Sequence, residues 1–251
     1  MSIAALAALL LERQPCVVLT GAGVSTESGI PDFRSPSGIW ADVDPFEVAS
    51  IQAFRRDPER VWSFYRQRIH TLLEAEPNAG HYALAELEAR GLVRAVITQN
   101  IDTLHARAGS RDVIEVHGSI RSAVCLRCLW TEGTDGVLAQ LEVRPAPLCT
   151  QCGDVLKPGV TLFGELLPAG AMERATELAR AAELMLVVGS SLEVWPVAGL
   201  PLEARALAIV NRGPTALDDR ALVKVDAPAG ETLAAVVTVL SEARGRARGV
   251  L

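Results

Sequence analysis

Short runs of apolar residues alternate with longer stretches in which apolar residues recur every three or four positions. The short runs predict buried strands and the longer stretches predict amphipathic helices. The predicted strands are 16–20, 93–98, 112–116, 184–189, 206–210 and 222–225, and the predicted helices lie near 2–12, 58–74, 79–89, 168–182 and 230–243. Strands that alternate with helices form βαβ units. We therefore predict an α/β fold with a doubly wound, parallel, Rossmann-like sheet.

Two segments interrupt this alternation. Residues 33–75 begin with a loop rich in proline, glycine and serine and then become helical without a strand, and residues 119–157 contain four cysteines and little regular pattern. We predict that these segments, a helical module (33–75) and a metal-binding module (119–157), form a smaller domain. The Rossmann-like domain would then comprise 1–32, 76–118 and 158–251. The last residues, 243–251, carry three arginines and two glycines and are predicted to fray.

Four of the five cysteines form two Cys-x-x-Cys pairs, Cys125/Cys128 and Cys149/Cys152, with 20 residues between the pairs. This spacing is typical of structural zinc modules, in which four thiolates fill a tetrahedral site and leave no position for water. We predict one structural Zn²⁺ and a reducing compartment, because metal ligands and an odd cysteine total argue against disulfides. Cys16 lies in an apolar run and is predicted to be a buried small hydrophobe.

The composition excludes several classes of function. The net charge of −6 and the pI near 5.3 argue against direct nucleic-acid binding. The charges around the cysteines are mixed, and Trp130 is the one aromatic residue there, which makes a poor stacking surface. No stretch approaches the roughly 20 apolar residues of a membrane span, and the apolar N-terminus lacks the preceding Lys or Arg of a signal peptide. We expect a cytoplasmic protein without a membrane partner.

A glycine turn follows the first predicted strand. Gly21 and Gly23 open a helix, where glycines allow a backbone to approach a pyrophosphate and free N–H groups can bind it. The usual third glycine is replaced by Thr26, and no acidic residue follows about 20 residues later. The turn alone is therefore equally compatible with an ordinary connection between a strand and a helix.

Polar residues also end the next two predicted strands. Strand 93–98 leads into Gln99, Asn100 and Asp102, and the following strand ends at His117. The carboxyl ends of parallel strands face the ligand crevice of a doubly wound sheet. Histidine is the natural general base near neutral pH. A single histidine at a strand end is usually structural, but this set indicates an active site.

With these motifs in view, the chain resembles the sirtuins, the NAD-dependent protein-lysine deacylases, and among them bacterial members. The resemblance covers roughly residues 10–240. It rests on segments 21–25, 29–34, 98–102, 117–118, 163–165, 189–192 and 210–211 and on the four paired cysteines. It implies NAD as co-substrate, one structural Zn²⁺, and acylated-lysine proteins as substrates.

The resemblance also implies the roles of individual residues. His117 would be the catalytic base, and Asn100 and Asp102 would orient the nicotinamide ribose and the carboxamide. The predicted NAD-binding residues are Gly21, Ala22, Gly23, Ser25, Thr26, Asp32, Phe33, Arg34, Trp40, Gln99, Asn100, Ile101, Asp102, Gly189, Ser190, Ser191, Asn211 and Ala229.

In the implied reaction, the amide oxygen of acyl-lysine attacks C1′ of the nicotinamide ribose as nicotinamide leaves. His117 then helps to deprotonate a ribose hydroxyl, which attacks the resulting imidate carbon. The products are free lysine, nicotinamide and 2′-O-acyl-ADP-ribose. Because the amide oxygen is a weak nucleophile, it must be held in line with C1′ and the leaving nicotinamide, and water must be excluded. Val160, Phe163, Gly164 and Glu165 lie in a segment similar to the family's peptide-binding stretch, which binds substrate by strand addition.

The acyl group is suggested by a helix within 58–74. Tyr65 and Arg68 share one face of this helix. With Ala49, a small residue, they resemble the acyl pocket of the class III branch, in which an arginine and a tyrosine hold the carboxylate of succinyl or malonyl lysine. Asp32 departs from that branch, which often carries Thr there.

We predict a deacetylase that is also a desuccinylase and demalonylase. The alternatives are a deacetylase without acidic-acyl activity, a mono-ADP-ribosyltransferase using the same NAD site, and a non-catalytic zinc-ribbon adaptor.

Overall fold

A six-stranded parallel sheet is the largest element of the computed structural model, which describes residues 2–33, 35–36 and 38–248. The spatial order of its strands is β3-β2-β1-β7-β8-β9. Their bounds are β1 Cys16–Thr20, β2 Val93–Thr98, β3 Val113–Glu115, β7 Leu184–Val188, β8 Leu207–Val210 and β9 Val223–Val225. Every residue of β1, β7 and β8 is buried, which explains why these strands are continuous apolar runs.

Helices cover both faces of this sheet. One face packs against α1 (Ile3–Glu12), α5 (Ala79–Ala89) and α9 (Ala229–Arg248). The other packs against α8 (Ala169–Ala181) and a 3₁₀ helix, Val197–Leu202. The chain runs outward from β1 to β3 and then returns to build β7 to β9 on the other side. Strand order therefore reverses between β1 and β7, and in such sheets the ligand crevice lies outside the carboxyl ends at this point.

A second, antiparallel sheet has the order β5-β4-β6. Its strands are β4 Gly118–Cys125, β5 Thr131–Gly133 and β6 Leu156–Val160, and α7 (Thr134–Leu141) follows β5. Its core is shared with α3 (Ile51–Arg56) and α4 (Pro58–Glu74). The indole Nε1 of Trp62 on α4 donates to Leu156 O at 2.7 Å. The helical segment and the cysteine segment thus pack together, as they must in the small domain predicted from the sequence.

All the predicted strands and helices are found. Of their 22 ends, 12 are exact, nine shift by one residue and one, the end of the last helix, shifts by five. Segment 33–75 holds no named strand among its described residues; it contains α2 (Pro45–Val48), α3, α4 and the 3₁₀ helix Ile39–Ala41. The expectation of little regular structure in 119–157 was wrong, because the segment contains most of β4, all of β5 and α7, and the start of β6.

The last helix extends further along the chain than predicted. Helix α9 continues to Arg248, five residues past the predicted end. Apolar positions in its first twelve residues, including Leu233, Val236 and Leu240, pack on the sheet, and the helix propagates beyond them. Residues 249–251 lie outside the described part of the chain. Within the described residues, the helices fall short of what a membrane crossing requires in length and apolar character.

Candidate active site

A cavity of about 990 Å³ lies at the carboxyl ends of β1, β2 and β7, between the large sheet and the small one. All NAD-binding and substrate-binding residues predicted from the sequence line this cavity, apart from Arg34, which lies outside the described residues. The structure therefore brings together in one place residues that are more than 200 positions apart in sequence, from Gly21 to Ala229.

The glycine turn packs closely against the loop after β7. A Cβ atom at Gly21 would lie 2.8 Å from Gly189 O, and one at Gly23 would lie 2.8 Å from Gly189 Cα. Gly23 N also donates to Gly189 O at 2.8 Å. The two glycines thus allow two loops to pack closely together. This role is additional to the one suggested by the sequence, which was to let the backbone approach a phosphate. The helix they open, Ala22–Ser28, is a 3₁₀ helix.

Ser25, Asn100 and Asp102 form a buried hydrogen-bonded set. Ser25 Oγ donates to Asp102 Oδ2 at 2.7 Å, and Asn100 Nδ2 donates to Ser25 Oγ at 3.1 Å and to the carbonyl oxygen of Gly21 at 3.2 Å. The other carboxylate oxygen of Asp102 accepts from Leu104 N at 3.0 Å. These side chains are therefore oriented before any ligand binds, and the amide oxygen of Asn100 has no partner within the described part of the chain.

His117 is oriented by its neighbours in the same way. Its Nδ1 lies 3.0 Å from the carbonyl oxygen of Gln99, so Nδ1 carries the proton and Nε2 is the basic nitrogen. Burial lowers the pKa of His117, and the bond to Gln99 opposes this shift. The imidazole is therefore neutral near pH 7, which is the form that a general base requires.

Two further histidines, His81 and His105, lie behind this set and were missed from the sequence. Their rings are 4.8 Å apart; His81 Nε2 is 3.5 Å from Ser25 Oγ, and His105 Nε2 is 2.9 Å from Thr20 Oγ1. Burial lowers the pKa of His81 to about 4 and that of His105 to about 3. His81 also accepts from Asn78 N as part of a capping box at the start of α5. Nothing in its sequence context sets this histidine apart from an ordinary helix residue.

The opposite wall of the cavity is aromatic and includes the cation of Arg68. The Arg68 guanidinium carbon lies 5.6 Å from the ring centre of Phe33 and 5.2 Å from that of Phe64. Trp40 stacks between the same two rings, with ring centres 5.2 Å and 5.9 Å away. Phe64, the neighbour of Tyr65, also lines the cavity and was missed from the sequence.

The predicted peptide-binding segment connects this wall to His117. Thr161 N donates to His117 O at 2.8 Å, and Phe163 N donates to Ala49 O at 2.8 Å. Ile51 N donates in turn to Phe163 O at 3.0 Å. The segment is thus held between the start of β4 and the start of α3, beside both the histidine and the aromatic wall.

The four paired cysteines form a compact cluster away from the cavity. All four Sγ atoms lie within 4.8 Å of one another, and the pairs Cys125/Cys152 and Cys128/Cys149 are 3.4 and 3.5 Å apart. A tetrahedral zinc with Zn–S bonds of about 2.3 Å requires sulfur atoms about 3.8 Å apart. The cluster therefore fits a structural zinc ion. Cys16 is buried elsewhere, and burial raises the pKa of its thiol to about 12, so it acts as a hydrophobe.

Comparison with known proteins is consistent with this geometry. The Sir2 family model matches residues 21–196. An NAD-dependent protein deacetylase of Sulfurisphaera tokodaii is 47% identical over 233 residues, which cover 91% of this chain and 92% of that protein. NAD-dependent protein deacylase 2 of Archaeoglobus fulgidus is 45% identical over 243 residues, covering 95% of this chain and 96% of that protein.

Solved structures confirm the fold. A structure of Sir2Tm bound to a propionylated peptide has a TM-score of 0.87 and 42% identity, and covers 95% of this chain and 98% of that one. An ADP-ribose complex of a mutant Sir2 homologue has a TM-score of 0.91 and 40% identity, covering 96% and 97%. The arrangement of a parallel sheet, a small antiparallel sheet and a four-cysteine cluster is thus shared with these proteins.

Proposed function

The chain belongs to the Sir2 family of NAD-dependent protein deacetylases and deacylases, and we propose that it removes succinyl and malonyl groups as well as acetyl groups from lysine. The cysteine cluster is positioned to hold a structural zinc ion. The observation that carries the proposal is Arg68, a cation on the cavity wall that has no anionic partner among the described residues.

NAD fits the cavity on the side of the large sheet and supplies an electrophilic ribose carbon and nicotinamide as the leaving group. Gly21, Ser25 and the loop Gly189–Ser191 would hold it, and Asn100 and Asp102 would orient the ribose. His117 Nε2 would accept a proton from a ribose hydroxyl, because Nδ1 is already bonded to Gln99 O. The aromatic wall would exclude water from the reacting atoms.

Arg68 has the properties of a receptor for a carboxylate. Its side chain is half-buried, and burial lowers its pKa, with Tyr65 opposing the shift; an arginine nevertheless stays charged. The faces of Phe33 and Phe64 hold the guanidinium through cation–π contacts, which leave its N–H donors unused within the described residues. A partly desolvated cation without a counter-ion favours binding of an anion.

Tyr65 and Ala49 support the same conclusion. Tyr65 is buried, and burial raises the pKa of its phenol, so the hydroxyl remains a hydrogen-bond donor at neutral pH. Ala49 is buried in the cavity wall and leaves room beside it for a longer acyl chain. Asp32 accepts from Ser35 N at 2.8 Å, which gives this residue a part in shaping the loop.

The test is NAD-dependent deacylation of one peptide in acetyl, succinyl and malonyl forms by the wild type and by Arg68→Met. We expect kcat/KM on the two acidic forms to fall about 10- to 100-fold in the variant, since a hydrogen bond to a charged group contributes about 1.5–3 kcal/mol. The acetyl form should change little, because it carries no carboxylate. Arg66→Met is the matched control: Arg66 lies on the exposed face of the same helix. Equal losses on all three forms would overturn the proposal.

The same assay separates the remaining alternatives. Turnover of the acetyl peptide alone by the wild type would leave a deacetylase without acidic-acyl activity. Nicotinamide release without deacylation, with transfer of ADP-ribose to protein, would instead indicate a transferase. His117→Asn should abolish deacylation of every form if the imidazole is the base, and full activity in this variant would exclude that role.

A further inference from the structure

Lys157 is a buried lysine near the cavity whose three N–H donors are all used. Its side chain is 6% exposed, and Nζ donates to Pro158 O at 2.9 Å, to Val160 O at 2.6 Å and to Glu165 Oε2 at 3.0 Å. A buried charge is tolerated when it is paired and fully hydrogen-bonded. Such an arrangement fixes the relative positions of the groups that it joins, here the end of β6 and the turn that follows it.

The carboxylate of Glu165 also stabilises that turn, by a hydrogen bond to the backbone at its first residue. Its Oε2 accepts from Leu162 N at 2.8 Å as well as from Lys157, and Glu165 N donates to Leu162 O at 3.0 Å. Gly164 stands at the third position of the turn with φ +84°, a conformation that favours glycine. The turn is therefore specified by its own backbone and by one ion pair.

In this turn, Gly164 is the residue whose backbone N–H and C=O are both free among the described residues. Phe163 N and O are bonded to Ala49 and Ile51, and Thr161 N is bonded to His117 O. In contrast, Gly164 lines the cavity and makes no backbone hydrogen bond within the described residues. Strand addition by a peptide needs unpaired N–H and C=O groups. Gly164, one residue beyond Phe163, is therefore the position in this turn that can offer both groups to a peptide.

We propose that Lys157 and Glu165 are a positioning pair that holds Gly164 in the orientation required to bind the substrate peptide beside His117. This inference rests on the proposed function, because it takes the substrate to be an acylated peptide. Lys157 acts through the turn and not by contact with the substrate. Glu165, predicted from the sequence to bind substrate, is assigned a role within the turn itself.

The test is steady-state kinetics of Lys157→Met on an acetyl-lysine peptide, with isothermal titration of ADP-ribose as a separate readout. We expect the KM for peptide to rise about tenfold or more, because the turn loses the bonds that orient it, while kcat at saturation changes less. The affinity for ADP-ribose should stay within about twofold, since the nucleotide binds on the other wall. Lys157→Arg keeps the charge and donors and should restore most of the peptide affinity.

Glu165→Gln provides a second variant in case Lys157→Met does not fold. It should raise the peptide KM less than Lys157→Met, and the double variant should be no worse than the stronger single one, because the two residues act as a unit. Arg180→Met, which breaks the exposed ion pair with Glu203, is the control and should leave both readouts unchanged. A peptide KM near that of the wild type, or a parallel loss of ADP-ribose affinity, would overturn the positioning role. Lack of turnover by the wild type on every acyl peptide would instead remove the proposed function.

Discussion

The two sheets that enclose the cavity are stabilised by different means. The six-stranded sheet is buried on both faces beneath helices, and its central strands carry apolar side chains throughout. The three-stranded sheet has a three-residue edge strand and a core that it shares with α3 and α4. Burial of apolar area can account for the first. The second holds four thiols within 4.8 Å of one another, and we expect its stability to depend on a bound metal as well as on this core.

The polar groups of the two sides differ in a similar way. On the side of the large sheet, Ser25, Asn100 and Asp102 bond to one another, and His117 bonds to Gln99 O. On the other side, Arg68 and the backbone of Gly164 have no polar partners among the described residues. The first arrangement prepares groups that must have one fixed orientation for chemistry. The second leaves groups free for a substrate, whose acyl chain and sequence vary.

Metal removal is the change that should separate the two sheets most. We expect chelation, or Cys149→Ser, to release zinc, unfold the small sheet and abolish deacylation, because zinc contributes about 10–16 kcal/mol in small zinc-binding peptides. The helices that cover the large sheet should stay folded, so most of the helical circular dichroism signal of the protein should remain. Zinc content, activity and spectra measured on the same samples check this. Cys16→Ala, which changes a cysteine outside the cluster, should keep one zinc per chain. Full activity in zinc-free protein would contradict the dependence on metal.

The same contrast explains what the sequence could and could not predict. Strands such as Cys16–Thr20 and Leu184–Val188 are buried on both faces, so their apolar runs reveal them. In the small sheet, β6 contains Lys157, Pro158 and a glycine, and its burial depends on partners outside the strand such as Trp62 and Glu165. Local periodicity contains no information about such partners.

The site shows a similar division between what the sequence predicts and what only the structure reveals. Strand ends and motifs predicted many of the residues that line the cavity. The bonds that orient them, such as those of His81 to Ser25 and of Lys157 to Glu165, link positions brought together only by the fold. The sequence alone therefore could not predict side-chain roles that depend on such pairs. This holds even for Glu165, which was predicted as a site residue but not as part of a pair.

Acid should weaken the large sheet through its two buried histidines. The pKa values of His81 and His105 are lowered to about 4 and about 3, so between about pH 6.5 and these values the unfolded chain binds protons that the folded chain does not. Stability is therefore complete above pH 6.5 and falls as the pH decreases towards 4. The loss should be on the order of a few kcal/mol, since one pKa unit corresponds to about 1.4 kcal/mol.

Urea unfolding of zinc-loaded protein at pH 8, 6.5 and 5 measures this dependence. His105→Asn should lower stability at pH 8, because it removes the bond to Thr20, but it should also flatten the decline towards pH 5. His70→Asn, on the exposed face of α4, is the control and should leave the slope unchanged. An equally steep decline in His105→Asn would show that other groups, such as the thiolates of the cluster, cause the loss.

The smallest expected effects come from a comparison within the small module, between its two Cys-x-x-Cys turns. Leu129 and Gly153 occupy equivalent positions: each N–H donates to the carbonyl of the first cysteine of its pair at 2.9 Å, and their φ angles are +63° and +75°. A side chain in this left-handed region costs roughly 1–2 kcal/mol. Leu129 is 76% exposed, so its burial offsets little of this strain.

Substitutions at the two positions should therefore have opposite signs. We expect Leu129→Gly to stabilise the zinc-loaded module by about 0.5 kcal/mol, after the entropy cost of glycine is deducted, and Gly153→Ala to destabilise it by about 0.5–1 kcal/mol. Competition for zinc with a chromophoric chelator and thermal unfolding of the loaded protein measure both changes. A loss of stability in Leu129→Gly would mean that the exposed leucine makes a contact worth more than its strain, and the two turns would then differ in what stabilises them as well as in sequence.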